Sequence, residues 1–167
     1  MGCTTHSPRM QRLNHLDSLM EEHPKEVYET LCKMASAIKK ENTGKDKMKY
    51  RVLMAKAQNK LYLDMPSDSS FQEVVDYYDK NGTPNERMEA HYLMGCIYRD
   101  KKEAPMAMQC YQEAVECADT LSKDCDYVTL FSIYGQMADV FRKQYLFNEA
   151  LKAEKDYSHY ALKAGNV

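Results

Sequence analysis

The chain has 167 residues, 44% of them hydrophobic and 29% charged, with 23 basic residues against 25 acidic ones for a net charge of −2. That balance belongs to a globular chain, and a pI near 6.2 with charges alternating in sign excludes a nucleic-acid binder, which clusters Lys and Arg into a basic patch. Six glycines, five prolines and no tryptophan, set against 12 methionines and 13 tyrosines, disfavour a turn-rich β fold and leave long stretches free to be helical.

The apolar residues recur with helical spacing from near the start. Residues 1–8 read as a polar tether. Met10, Leu13, Leu16, Leu19 and Met20 then form one stripe, ended by His23 and Pro24. Val27, Leu31, Met34, Ala35 and Ile38 form a second, closed by the polar segment 39–46 with Gly44 inside it, and these two helices make a first hairpin over about 9–40. A third stripe runs through Tyr50, Leu53, Met54, Ala57 and Leu61 and stops before Pro66. Ser67 or Asp68 can cap the helix of Phe71, Val74, Val75 and Tyr78, which Asn81, a left-handed Gly82 and Pro84 terminate, giving a second hairpin over about 47–82.

The fifth helix is expected over 86–99, broken by Asp100-Lys101-Lys102, and the sixth over 104–121, a third hairpin. The seventh is expected over 127–143 and the eighth over 147–163, the fourth hairpin. No segment alternates with period two, so no strand is expected. A hairpin with one apolar stripe is not stable alone, and successive hairpins must stack to bury their stripes. The fold class is therefore all-α, an α-α superhelix of about four hairpins in a single domain over 9–167.

From residue 88 the pattern becomes specific. Met94-Gly95 and Tyr98 lie in one helix and Ala107, Tyr111 and Ala114 in the next, at the offsets of small and aromatic positions in the tetratricopeptide repeat, which this stretch resembles. A following repeat aligns with Ala138, Phe141 and Ala150, then departs, with Glu154 where an aromatic is usual and Tyr157 where Ala is usual. First helices recur every 41 to 43 residues rather than about 34, so the turns or helices are longer than the family's.

The chain is also similar to tetratricopeptide lipoproteins of Gram-negative bacteria, through the stretch Leu16 to Pro24, the phrase Asp76-Tyr77-Tyr78 before a Gly turn, and Gly2-Cys3 followed by a polar stretch. The resemblance implies a lipid anchor at Cys3 and a place in the bacterial envelope. An ordinary start codon with a chance cysteine is the other reading, and would leave the protein cytoplasmic. Members of that group often continue into a signalling or DNA-binding region, so a sensory or regulatory segment is the alternative to a free-standing binding module.

By the same resemblance the first helix of each pair lines a concave groove. Carried over, the groove residues are Glu89, Tyr92, Cys96, Arg99 and Asp100 from one repeat, and Ser132, Gly135, Asp139, Arg142 and Lys143 from the next. Arg99, Arg142 and Lys143 suit acidic side chains or a chain terminus, and Tyr92 offers a flat apolar contact. The family's carboxylate clamp is not reproduced, because its Lys and Asn are missing.

Catalytic signals are absent. There is no G-x-G-x-x-G, P-loop, G-x-S-x-G or H-E-x-x-H, and no nucleophile stands beside His91 in sequence. The six cysteines contain no C-x-x-C and no histidine at zinc spacing, and Cys110 and Cys117 lie about 10 Å apart along one helix face, too far for a disulfide. The expected function is to bind a protein or peptide, with no enzymatic activity, cofactor, metal or nucleic acid, and with the membrane reached only through Cys3.

Overall fold

The computed structural model describes residues 7–39 and 44–165. They form eight helices, α1 (Pro8–Leu19), α2 (Pro24–Lys39), α3 (Lys45–Lys60), α4 (Asp68–Asn81), α5 (Pro84–Asp100), α6 (Ala104–Cys117), α7 (Tyr127–Lys143) and α8 (Phe147–Lys163). Among the described residues there is no strand. By packing they fall into two compact units, Met1–Pro66 and Ser67–Val167. The division lies between α3 and α4, inside the span 47–82 that reads as one hairpin in sequence.

In the first unit α1 packs on α2 and α3, and α2 on α3. Leu13, Leu16 and Met20 from the first stripe meet Val27, Leu31, Met34 and Ile38 from the second and Leu53 and Ala57 from the third. Ser7 and Pro8, read as the end of a tether, instead start α1: the Ser7 hydroxyl accepts from the Met10 amide at 3.0 Å. Asp17 pairs with Lys49 and, at 3.1 Å, with Lys56. Glu21, just past the end of α1, takes Lys60 at 2.7 Å. Burial alone would raise the Asp17 carboxyl, but Lys56 and Lys49 outweigh it and hold it below the usual carboxylate range.

In the second unit α5 packs on α4 and α6, α7 on α6 and α8, and α5 also on α7, the neighbour contact that stacked hairpins make. Thr83 and Glu86 form a reciprocal capping box that starts α5 at Pro84, ahead of the expected 86. The bounds of α7 and α8 are those read from sequence. α6 stops at Cys117 rather than running to 121, because Asp119 and Ser122 turn their side chains onto the amides of Leu121 and Asp124. Gly82 is not left-handed; its φ is −86°, and a Cβ there would lie 2.6 Å from the Tyr78 carbonyl oxygen.

The ends of α3, α5 and α7 share one device with no glycine in it. Tyr62, Lys102 and Tyr145 take left-handed φ values of 55°, 63° and 61°. Behind each, the next amide reaches back to close the turn, Leu63 to Gln58, Glu103 to Tyr98 and Leu146 to Phe141, each at 2.9 Å. These are Schellman closures, and a side-chain-bearing residue in that conformation costs about 1 to 2 kcal/mol.

Candidate functional site

Gly95 sets the spacing of the α5–α6 hairpin. A Cβ built on it would stand 2.4 Å from Tyr111 Cε1 and 2.5 Å from Cδ1, so the ring lies directly on the glycine. Tyr111 is fully buried, its hydroxyl directed at Cys96 Sγ at 3.8 Å and its ring beside that of Tyr92 at 6.1 Å. Burial pushes both the Tyr111 phenol and the Cys96 thiol up, so both stay neutral. Cys96, read as a groove residue, is 0% exposed and serves as packing behind the surface instead.

The α7–α8 hairpin repeats the arrangement with different residues. Gly135, also read as groove-lining, seats the Tyr157 ring, which would be 3.2 Å from an added Cβ. Tyr157 meets Phe131 edge-on at 5.3 Å, and Tyr160 stacks between Tyr127 and Tyr134 at 6.0 and 5.5 Å. The aromatic missing at Glu154 is thus supplied from other turns of α8.

Each of the three expected cations has an acidic partner. Arg99 is held by Asp100 at 2.7 Å and donates through Nη1 to Gln136 on α7 at 3.0 Å. Arg142 pairs with Glu154 on α8 and with Asp139 at 3.8 Å. Lys143 pairs with Asp139 at 2.6 Å. Glu89 and Tyr92 are half-buried on α5, and the Ser132 hydroxyl bonds back to the Val128 carbonyl at 2.8 Å.

Arg99 and Lys143 nonetheless meet. With Lys102 in the α5–α6 turn and Gln144 at the end of α7 they ring a cleft of about 270 Å³ whose floor is Ala104 and Val140. Arg142 is not part of it. Lys102 and Gln144 escape a reading restricted to first-helix positions, and no sequence signal marks Lys102, because its place follows from the left-handed turn. Three cations around an apolar floor can take an anionic group attached to an apolar one, and a planar guanidinium favours a carboxylate or phosphate.

His91 has a neighbour that sequence spacing did not show, since Cys110 lines with it another cleft, between α4, α5 and α6. Burial pushes that thiol up to about 11, and both ring nitrogens of His91 face carboxylates, so the two are not arranged as a thiolate–imidazole pair. Among the described residues no group of three or more His, Cys, Asp or Glu side chains is placed to hold a metal ion, and no helix is long and apolar enough to cross a membrane. Cys3 lies outside the described residues. Compared with family models, curated proteins and solved structures, the chain matches none.

Proposed function

We propose that the protein is a helical-repeat module of the tetratricopeptide kind that binds a protein or peptide, and that the cleft between Arg99, Lys102 and Lys143 receives an acidic side chain or chain terminus of that partner. One observation carries the reading: cations from the ends of two successive first helices converge on one apolar-floored cleft. The small-against-aromatic packing of Gly95 on Tyr111 and the contact of α5 with α7 support the kind of repeat. Arg99 already has Asp100, and Lys143 has Asp139, so an incoming carboxylate exchanges partners rather than meeting bare charges.

Exposed ion pairs contribute about 0.2 to 1 kcal/mol each, so replacing Arg99, Lys102 and Lys143 together by Ser lowers affinity for an acidic peptide several-fold to about a hundredfold and flattens its salt dependence. Fluorescence anisotropy with an acidic peptide and its amidated, neutral counterpart measures both quantities. Equal affinity for the two peptides, or a triple variant that binds as well as wild type, would sink the proposal. Arg142→Ser is the control, because Arg142 lies outside the cleft and faces Glu154. Anchoring through Cys3 is tested separately, by whether Cys3→Ser moves the full-length protein from the membrane to the soluble fraction.

A further inference from the structure

Among the described residues α8 packs on α7 alone, with Ala150, Ala153 and Ala161 buried in that seam and Tyr157 and Tyr160 laid on α7 rings. About a third of the way round the helix, Phe147, Leu151, Ser158 and Leu162 make a second row. Its apolar members are uncovered, Phe147 at 63%, Leu151 at 53% and Leu162 at 65% exposure. The row begins at the α7–α8 corner, where Tyr145 and Leu146 are exposed as well. The Tyr145 ring meets Phe147 edge-on at 6.3 Å, and the Leu146 amide is tied to the Phe141 carbonyl at 2.9 Å, so the corner is held in place before anything binds.

Beside this row runs a basic one. Lys152, Lys155, His159 and Lys163 follow at helical intervals, and all four are exposed. Lys163 lies over the Tyr127 and Tyr160 rings at 5.4 and 5.7 Å. Neither row contains a carboxylate. Glu154 turns to Arg142 on α7, and Asp156 lies by Tyr134 and Tyr160, whose phenols burial and then Asp156 push up. Glu149 falls, by the period of the helix, on the side opposite Leu151. The net charge of −2 does not decide what this side attracts, because α7 stands between α8 and the carboxylates of α4, α5 and α6. Packed helices lie about 8 to 10 Å apart, and physiological salt screens charges over roughly 8 Å.

An apolar row bordered by lysines, with an exposed tyrosine at its end, is the pattern of a helix that lies in the plane of a lipid headgroup layer. We propose that the outer side of α8 docks the protein on an anionic lipid bilayer. Phe147, Leu151 and Leu162 enter the headgroup layer, Tyr145 sits at its edge, and Lys152 and Lys155 meet the lipid phosphates. An acidic amphipathic helix matches the two rows but not the corner, which is convex and lies beyond the end of α7; a bilayer closes around such a corner. The contact needs no lipid on Cys3. It is also separate from the Arg99 cleft and stands whatever becomes of the peptide reading.

The test is flotation of the full chain carrying Cys3→Ser, which removes any anchor. The vesicles are phosphatidylcholine alone and phosphatidylcholine with about 30% phosphatidylglycerol. The protein is expected to partition at least about tenfold more strongly to the anionic vesicles, and to leave them as salt rises from about 0.05 to 0.5 M. Lys152→Gln with Lys155→Gln lowers the partition coefficient about twentyfold to thirtyfold, and Phe147→Ser with Leu151→Ser about tenfold or more. Lys33→Gln, at an exposed position of α2, leaves it unchanged. Emission from Phe147→Trp shifts to the blue on anionic vesicles and is quenched by lipids brominated near the headgroup. Equal flotation on both vesicles, flotation on neither, or indifference to both double changes would overturn the proposal. A chain that ignores vesicles but binds a synthetic amphipathic Leu/Glu peptide through these rows would overturn it too, and would give the face to a protein partner. The comparison of the two vesicles decides the matter even where a double variant does not fold.

Discussion

Replacing Gly95 by Ala pits two known effects against each other at one atom. Alanine is favoured over glycine inside a helix by about 1 kcal/mol, so at an open position the change stabilises. Here the added methyl would lie 2.4 to 2.5 Å from two carbons of the Tyr111 ring, well inside contact distance. The ring has nowhere to go: Tyr111 is 0% exposed, and it is wedged beside Tyr92 with its hydroxyl on Cys96. Overpacking of this kind costs about 1 to 3 kcal/mol, so the net expectation is a loss of up to about 2 kcal/mol. A loss of that size lowers the melting temperature by roughly 4 to 8 °C per kcal/mol for a unit of about a hundred residues. The decisive measurement repeats the change in a Tyr111→Ala background. There the obstruction is gone, the methyl fills part of the vacated space, and Gly95→Ala should stabilise by about 1 kcal/mol. Urea unfolding followed by circular dichroism gives both differences. A Gly95→Ala that raises stability with Tyr111 in place would show that the ring does not rest on the glycine.

Three further outcomes follow from groups already described. Asp17→Asn should destabilise the first unit by about 1 to 3 kcal/mol at neutral pH; because the folded carboxyl lies below its unfolded value of about 3.9, its contribution is present above that value and is lost as the pH falls through the lower folded value, so urea curves of variant and wild type should converge in acid. Tyr134 has its phenol pushed up to about 12 by burial, with Asp156 and Tyr160 adding to it. The folded value is the raised one, so its stabilisation is complete below the ordinary tyrosine value of about 10 and is lost between there and 12, which ultraviolet titration of wild type against Tyr134→Phe resolves. Tyr62→Gly removes a left-handed side chain that is 95% exposed, and the relief of about 1 to 2 kcal/mol outweighs the extra backbone entropy of about 0.5 to 1, so the melting temperature should rise or hold; a fall would mean that the Tyr62 side chain contributes contacts of its own.

The helices were legible in sequence because their apolar residues carry the period and their ends carry punctuation. The ranges 127–143 and 147–163 read from sequence are those of α7 and α8, and the structure adds that Asp126 caps α7 by accepting from the Thr129 amide. Gly95 could be singled out because it falls on a small position of the repeat that this stretch resembles. Cys96 could not be excluded from the groove, since a pattern fixed by position in the repeat cannot tell a residue facing solvent from one a few degrees around the helix under Tyr111. The α5–α6 turn was found as a charge-rich break and the α7–α8 turn as the gap between two stripes, yet their left-handed geometry stayed hidden, because Lys102 and Tyr145 are residues for which that conformation is no one's first expectation. The convergence at His91 was equally hidden: Asp79, His91 and Glu113 belong to three helices, and nothing local in the chain ties them together.

Where glycine makes a helix corner, the corner is mute, since it offers the solvent nothing but backbone. The corners after α5 and α7 instead hold up a lysine and a tyrosine, each anchored by the hydrogen bonds behind it rather than by what its own side chain touches. Identity at these points is therefore free to change while the path of the chain does not. Lys102 borders the cleft beside Arg99, and Tyr145 stands 80% exposed with Phe147 at 6.3 Å, so the corners give this scaffold two interchangeable fittings whose chemistry can be altered without rebuilding the helices they join.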